Sequence, residues 1–513
     1  MDKDAAIQND ALLESPVIAG GEVTNGESLR KSVLQSLRHA SYRSKFIQSL
    51  SVSFAFWCLG FQGGQRGPSF LDIQLITNTN VEKASTFFTA GSVGYLSGSF
   101  ISGVLYDRFN KVLLLGLCII LLAITVSVLP LCSTYGLMLV IFWANSFFMG
   151  GLDAGGNAHL VSMWGEDGGG TYMQAAHFAF AFGGVVSPQI TAPFLASKAG
   201  DETTTFSSLY LPSTVITSDN STLSNNITTI AEPVETKLIY AYIISGIVTV
   251  QSAIPFMVIY CRYKSQKMKR NQLKKKQENG SIRDLPWKYY ILAIILLNLF
   301  YVTYCVAENS FAAYLMTFVV MQLKWSKTKG TQITSVFWAA FAVSRFTGIF
   351  IIRCLRPVIM LFICITGLVL SFAGFLLCSH YQIHIGIWIF TVLVGLSMSV
   401  VFPTGFTWAH GNLLNITGKV TSLILVASSA GTVINPIIIG YLMEELSPMW
   451  YCYLLVGESI LCLAIFVVLL FVAKFVLTNK RTVKTNTIEV VSQPAESVNK
   501  GRAFIPNNIS SEL

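Results

Sequence analysis

Apolar residues along this chain gather in runs of about 20, the length a helix needs to cross a bilayer, with short polar stretches between them. Twelve runs can be marked, at 46–68, 84–106, 112–131, 136–162, 172–197, 238–260, 289–320, 331–352, 357–378, 385–408, 420–443 and 450–476. The pattern predicts an all-α polytopic membrane protein of twelve transmembrane helices in two six-helix halves. An even number of spans puts both chain ends on one side. Composition agrees: 53% of residues are hydrophobic and 12% charged, against about 25% charged in a soluble domain.

Charge then assigns the sides. Residues 261–288 carry Arg262, Lys264, Lys267, Lys269, Arg270, Lys274, Lys275, Lys276 and Arg283 against Glu278 and Asp284. Such a basic linker between spans is expected in the cytoplasm. Residues 198–237 are Ser/Thr-rich and hold the acceptor motifs of Asn220 and Asn226, which predicts an extracellular, glycosylated loop. The expected organisation is a disordered cytoplasmic tail at 1–45, a first half at 46–260, the basic linker at 261–288, a second half at 289–476 and a disordered cytoplasmic tail at 477–513. Lys324, Lys327 and Lys329 dissent, since this scheme places them outside. The net charge of +9 lies beside spans and not on one soluble face, so no nucleic-acid partner is expected. The ten cysteines fall largely inside apolar runs and do not form a secreted disulfide framework. No paired-His metal motif or nucleophile–base arrangement stands out, so neither an enzyme nor a tightly bound metal or cofactor is expected.

The most informative stretch is Met149-Gly150-Gly151-Leu152-Asp153-Ala154-Gly155-Gly156-Asn157 in the fourth run. A midspan carboxylate costs roughly 2.5–3.5 kcal/mol on insertion scales, which makes it a functional candidate. Asp153 and Asn157 are four apart and share a helix face, with Ser146 one heptad earlier. Gly151 and Gly155 lie nearly opposite and would admit a neighbouring helix. The competing reading is a structural Asp neutralised by that neighbour.

Other polar groups in the runs fit a polyhydroxylated solute, which needs several donors and acceptors in a largely apolar pocket. Gln62, Gln65, Gln174, His177 and Glu308 supply them, and Trp57, Phe61 and Trp408 are aromatics on which a sugar ring's C–H face can pack. Tyr301, Tyr304 and Glu308 recur on one helix face. Asp153 or Glu308, with nearby carbonyls, could also furnish the oxygen ligands a hard cation such as sodium prefers.

Gly103-Val104-Leu105-Tyr106-Asp107-Arg108-Phe109-Asn110-Lys111, after the second run, resembles the loop signature of the major facilitator superfamily. Gly103, Leu105, Asp107, Arg108 and Lys111 fit it, while Asn110 stands where glycine is usual; the resemblance implies a gating latch there. The second half also echoes the first, Gly151-Leu152-Asp153 against Gly395-Leu396-Ser397. Within the superfamily, the fourth-run pattern, Met173 to Gly183, Val306-Ala307-Glu308-Asn309 and Phe402-Pro403-Thr404 resemble the fucose–proton symporter family. With Gly67-Pro68-Ser69-Phe70-Leu71-Asp72 added, the combination most resembles the animal sodium-dependent glucose transporters. The bacterial carboxylate of helix one has no counterpart; Gln62, Gly63, Gly64, Gln65 and Arg66 stand there.

The resemblance implies a monomeric plasma-membrane hexose transporter working by alternating access, coupled to sodium. Its substrate site would comprise Asp153, Asn157, Gln174, His177, Glu308, Asn309, Gln62, Gln65, Trp57 and Trp408, with Asp153 and Glu308 coupling the cation. The alternatives are a proton-coupled or facilitative carrier of fucose, a polyol or urea, and a transport-inactive receptor or scaffold.

Overall fold

A computed structural model describes residues 40–196, 236–266, 287–414 and 418–491. The first half comprises α1 (Ala40–Thr77), α2 (Val81–Arg108), α3 (Lys111–Val128), α4 (Tyr135–Thr191) and α5 (Leu238–Gln266). The second comprises α6 (Trp287–Met321), α7 (Lys327–Cys354), α8 (Pro357–His380), α9 (His384–Met398), α10 (Val401–Asn412), α11 (Gly418–Tyr441) and α12 (Trp450–Val491).

Two features separate these helices from the twelve apolar runs. The fourth and fifth runs merge into the single 57-residue helix α4. Gly156 packs on Phe56, whereas Gly183 packs on the Trp57 carbonyl, so both ends of α4 meet one stretch of α1. A straight helix would hold those glycines about 40 Å apart at 1.5 Å per residue. The chain therefore reverses between them, around the stacked Trp164 and Tyr172 rings, whose centroids lie 4.1 Å apart. The tenth run, conversely, breaks at Ser399 and Val400 into α9 and α10. The ends differ too: α1 starts at Ala40, and α12 continues to Val491, so the tail expected from 477 begins as helix. Asn220, Asn226 and most of the basic linker lie outside the described residues.

Among the described residues, eight helices, parts of helices or joined helices are long and apolar enough to span by composition alone. The four spans that miss that test are α1, α2, the second part of α4, and α7. Glycines draw α1 and α2 tightly against α4. A Cβ at Gly98 would stand 1.9 Å from the Phe147 carbonyl oxygen, and one at Gly94 2.2 Å from that of Trp143. With no side chain in the way, α2 and α4 touch backbone to backbone. Gly60 and Gly64 let α1 approach the Phe180 and Gly184 backbone in the same manner.

The halves meet along α1 with α6, α2 with α11, and α4 with α7. We call the side that carries 197–235 the long-loop face and the opposite side the linker face. Among the described residues, hydrogen bonds between halves lie toward the long-loop face. Val81 N donates to Glu444 Oε2 (3.1 Å), Thr89 Oγ1 to Val433 O (2.9 Å) and Gln189 Nε2 to Ser335 Oγ (3.1 Å). At that face Asp72, 0% exposed, forms an ion pair with Lys327. Its other oxygen accepts from Ala196 N (2.7 Å) and Thr236 Oγ1 (2.5 Å). The anomalous lysine of the sequence thus has a buried partner.

Candidate functional site

Asn145, Ser146, Met149, Asp153 and Asn157 form one stripe along α4, because steps of three and four return to the same helix face. Asp153 is half-buried. It accepts from the Tyr95 hydroxyl of α2 and from Asn157 Nδ2 at 3.1 Å. Gly150 makes the first of these contacts accessible: a Cβ there would lie 2.1 Å from the Tyr95 carbonyl oxygen. The carboxylate is therefore turned inward and held by polar groups, neither facing lipid nor sealed.

One turn toward the long-loop face, Arg66 of α1 reaches the same stripe. Its Nη2 donates to Asn145 Oδ1 (2.9 Å), Ser146 Oγ (2.8 Å) and Met149 Sδ (2.8 Å). Gln62 and Gln65, on the same side of α1, turn into the first half instead. Gln62 donates to Thr249 Oγ1 (2.9 Å) and accepts from Asn145 Nδ2 (3.2 Å). Gln65, 0% exposed, accepts from Ser245 Oγ at 2.6 Å.

The second half builds its cluster on the break between α9 and α10. Pro403 has no N–H, so the Ser399 carbonyl four residues back lacks its helical partner. Arg345 Nη2 takes that carbonyl at 3.0 Å, with its guanidinium 4.8 Å from the Phe341 ring centroid. The Tyr304 hydroxyl donates to Met398 O (2.7 Å) and that of Tyr301 to Phe402 O (3.2 Å). Glu308, half-buried, follows Tyr304 by one turn on the same face of α6. The stretch of α4 that holds His177 faces the stretch of α7 that holds Arg345, with Phe178 5.7 Å from Phe346 and Phe180 6.0 Å from Trp338 between ring centroids.

Of the residues expected to bind substrate, the structure brings Asp153, Asn157, His177 and Glu308 into this central region. His177 meets the Phe56 ring edge-on at 5.4 Å, and Gln174 is half-buried one turn away. Trp57 is half-buried against Phe61, with centroids 5.3 Å apart. Gln62 is spent on Thr249 and Asn145, whereas Gln65 accepts from Ser245 and keeps a buried Nε2 with no partner among the described residues. Trp408, 3% exposed, packs edge-on against Phe466 of α12 in the second-half core. Asn309 is exposed and donates to the Cys305 carbonyl of its own helix (2.8 Å), off the Glu308 face.

In the loop signature, Asn110 caps α3, accepting from Val112 N (3.1 Å) and Leu113 N (3.2 Å). This capping explains why an Asn stands where glycine was expected. Lys111 Nζ sits 4.6 Å from the Tyr106 ring centroid, Arg108 is exposed, and Gly103 is unobstructed; the Asp107 side chain lies outside the described residues. Sequence reasoning missed Tyr95, the role of Arg66, and Glu458 of α12, which lies beside Asn435. Arg66 and Glu458 carried a signal, being charges within apolar runs.

The sequence model of the Major Facilitator Superfamily matches residues 52–415. Sodium-dependent glucose transporter 1 of Homo sapiens is 30% identical over 393 residues, covering 76% of this chain and 72% of the relative. Its Danio rerio namesake is 27% identical over 427 residues, covering 83% and 69%. Among solved structures, the nucleoside transporter NupG superposes with a TM-score of 0.56 at 12% identity, covering 83% of this chain and 99% of that one. A bacterial homolog of the lysosomal transporter Spinster gives 0.54 at 12%, covering 85% and 97%. With twelve spans in paired halves and polar clusters meeting between them, the chain belongs to the Major Facilitator Superfamily of membrane transporters.

Proposed function

We propose that the chain carries a hexose of the glucose type across the plasma membrane by alternating access, coupled to sodium entry. The observation that carries this reading is Asp153, a midspan carboxylate held by Tyr95 and Asn157 opposite a second charged cluster. The names of the relatives support the substrate class and the ion. Asp153, with Glu308 across the interface, supplies the oxygens for the cation, and Asn157, Gln174 and His177 orient the ring. A monovalent cation entering down ~100 mV releases about 2.3 kcal/mol. A tenfold concentration ratio adds about 1.4 kcal/mol, so one ion per sugar sustains several-hundredfold accumulation.

In this scheme the long-loop face is extracellular and glycosylated at Asn220 and Asn226, and the linker face is cytoplasmic. The Asp72–Lys327 pair closes the outer side, and Gly103, Asp107, Arg108 and Lys111 form the latch of the inner side. Uptake of labelled glucose, with sodium replaced by a large organic cation, tests coupling: transport falls if sodium drives it. Unchanged uptake would make the protein a facilitator, and acid-stimulated uptake a proton symporter. Competition by fucose, a polyol or urea, with glucose inert, would displace the substrate assignment. A scaffold role predicts that Asp153→Asn leaves every cellular phenotype intact.

A further inference from the structure

Arg66 is a fixed positive charge in the interior of α1, and the hexose-site reading gives it no task. Among the described residues it has no carboxylate at ion-pair distance; the single pair there is Lys327 with Asp72. Its partners are neutral, and all three bind one nitrogen, Nη2. Among the described residues no hydrogen bond engages Nη1 or Nε, and neither atom is fully sealed. The Nε of Arg345 is sealed by contrast. A guanidinium clamped by one corner presents its remaining donors in a fixed direction.

The register on α4 says what those donors face. Arg66 touches Met149, and Asp153 follows Met149 by four residues on the same face. That spacing is about 6 Å along the axis. Tyr95 of α2 donates to Asp153 at that level. The α4 face therefore offers a pure donor and, one turn on, a pure acceptor.

We propose that Arg66 is a substrate-binding, specificity-determining residue. Its unengaged N–H groups donate to the oxygens of a neutral polyhydroxylated ring whose neighbouring hydroxyl donates to Asp153, and its charge excludes protonated amino sugars from that position. This inference rests on the hexose reading and adds the pole that reads acceptor oxygens and rejects cations.

The test uses purified full-length protein, with sugar binding followed by the shift in thermal unfolding and uptake measured in parallel. D-glucose and D-glucosamine, which is protonated at neutral pH, are the probes. Wild type is expected to prefer glucose. Arg66→Gln should weaken glucose binding by about tenfold, the scale of a lost charged hydrogen bond, while glucosamine gains relative to glucose. Arg66→Lys keeps the charge without the fork, so glucose weakens but the preference stays. A clip that merely holds α4 would lower both sugars in proportion, and that result, or unchanged binding in both variants, overturns the assignment. Should Arg66→Gln fail to fold, unchanged glucose affinity in Arg66→Lys overturns it equally. Wild type that binds glucose without moving it would sink the transporter reading and leave the Arg66 assignment standing.

Discussion

The first-half cluster and the second-half cluster contain the same kinds of group, yet they are anchored differently. Each has a carboxylate, an arginine and a tyrosine. In the first half the tyrosine donates to the carboxylate itself, and the arginine binds the side chains of Asn145, Ser146 and Met149. In the second, Tyr304 and Arg345 spend their donors on the Met398 and Ser399 carbonyls that the break before Pro403 exposes. Side chains can rotate to follow a ligand, whereas a carbonyl at a helix break moves only with the helix. The first cluster is thus suited to contacting solute and cation, and the second to reporting the position of α10 to α6 and α7.

That contrast can be broken at several points. The largest effect should come from the clamp joining the halves. Asp72→Asn leaves Lys327 unmatched, and breaking a buried pair costs about 3–5 kcal/mol. The closed long-loop face should open, measured as faster labelling of Cys305 by an impermeant thiol reagent, with the other cysteines replaced. Asp72→Asn combined with Lys327→Met should recover part of the protection, because neither charge is then left alone.

Next, Asp153→Asn should reduce glucose uptake about 100-fold at equal surface level, and Glu308→Gln about tenfold. These correspond to roughly 2.7 and 1.4 kcal/mol of transition-state stabilisation. Equal losses would erase the difference between the clusters. Tyr95→Phe removes a hydrogen bond to a charged group, worth about 1.5–3 kcal/mol, and Tyr304→Phe one to a backbone carbonyl, worth about 1 kcal/mol. The first should raise the KM for glucose, and the second should lower the unfolding temperature with KM held. Asn157→Ala removes the other donor to the Asp153 carboxylate and should raise KM by about tenfold, the lower end of a charged hydrogen bond.

Much of the architecture was legible because membrane spans announce themselves by length and apolarity. Asp153 and Asn157 were legible because a four-residue spacing fixes a shared face, and the structure joins them directly. What sequence could not supply was the rotation of each helix about its axis. Trp408 sits in an apolar run at a plausible depth, but its face is set by Phe466 on a distant helix. Gln62 resembled a sugar ligand until Thr249 of α5 and Asn145 of α4 took its polar atoms, and Gln65 turns its oxygen to Ser245. Tyr95 gave no sign of its role, since an aromatic in an apolar run is ordinary. The reversal within α4 was hidden for another reason: the residues between its two spans keep helical backbone instead of a marked loop.

The carboxylate of Asp72 also fixes the root of the 197–235 segment. Ala196 N and Thr236 Oγ1 bond the same oxygen at 2.7 and 2.5 Å, so they stand no more than 5.2 Å apart, the sum of those lengths. Whatever leaves the bundle at Ala196 returns beside its own point of departure. A protease cut or an inserted tag in that segment therefore alters a stretch whose two ends are already tied, and the helices at its root need not feel it.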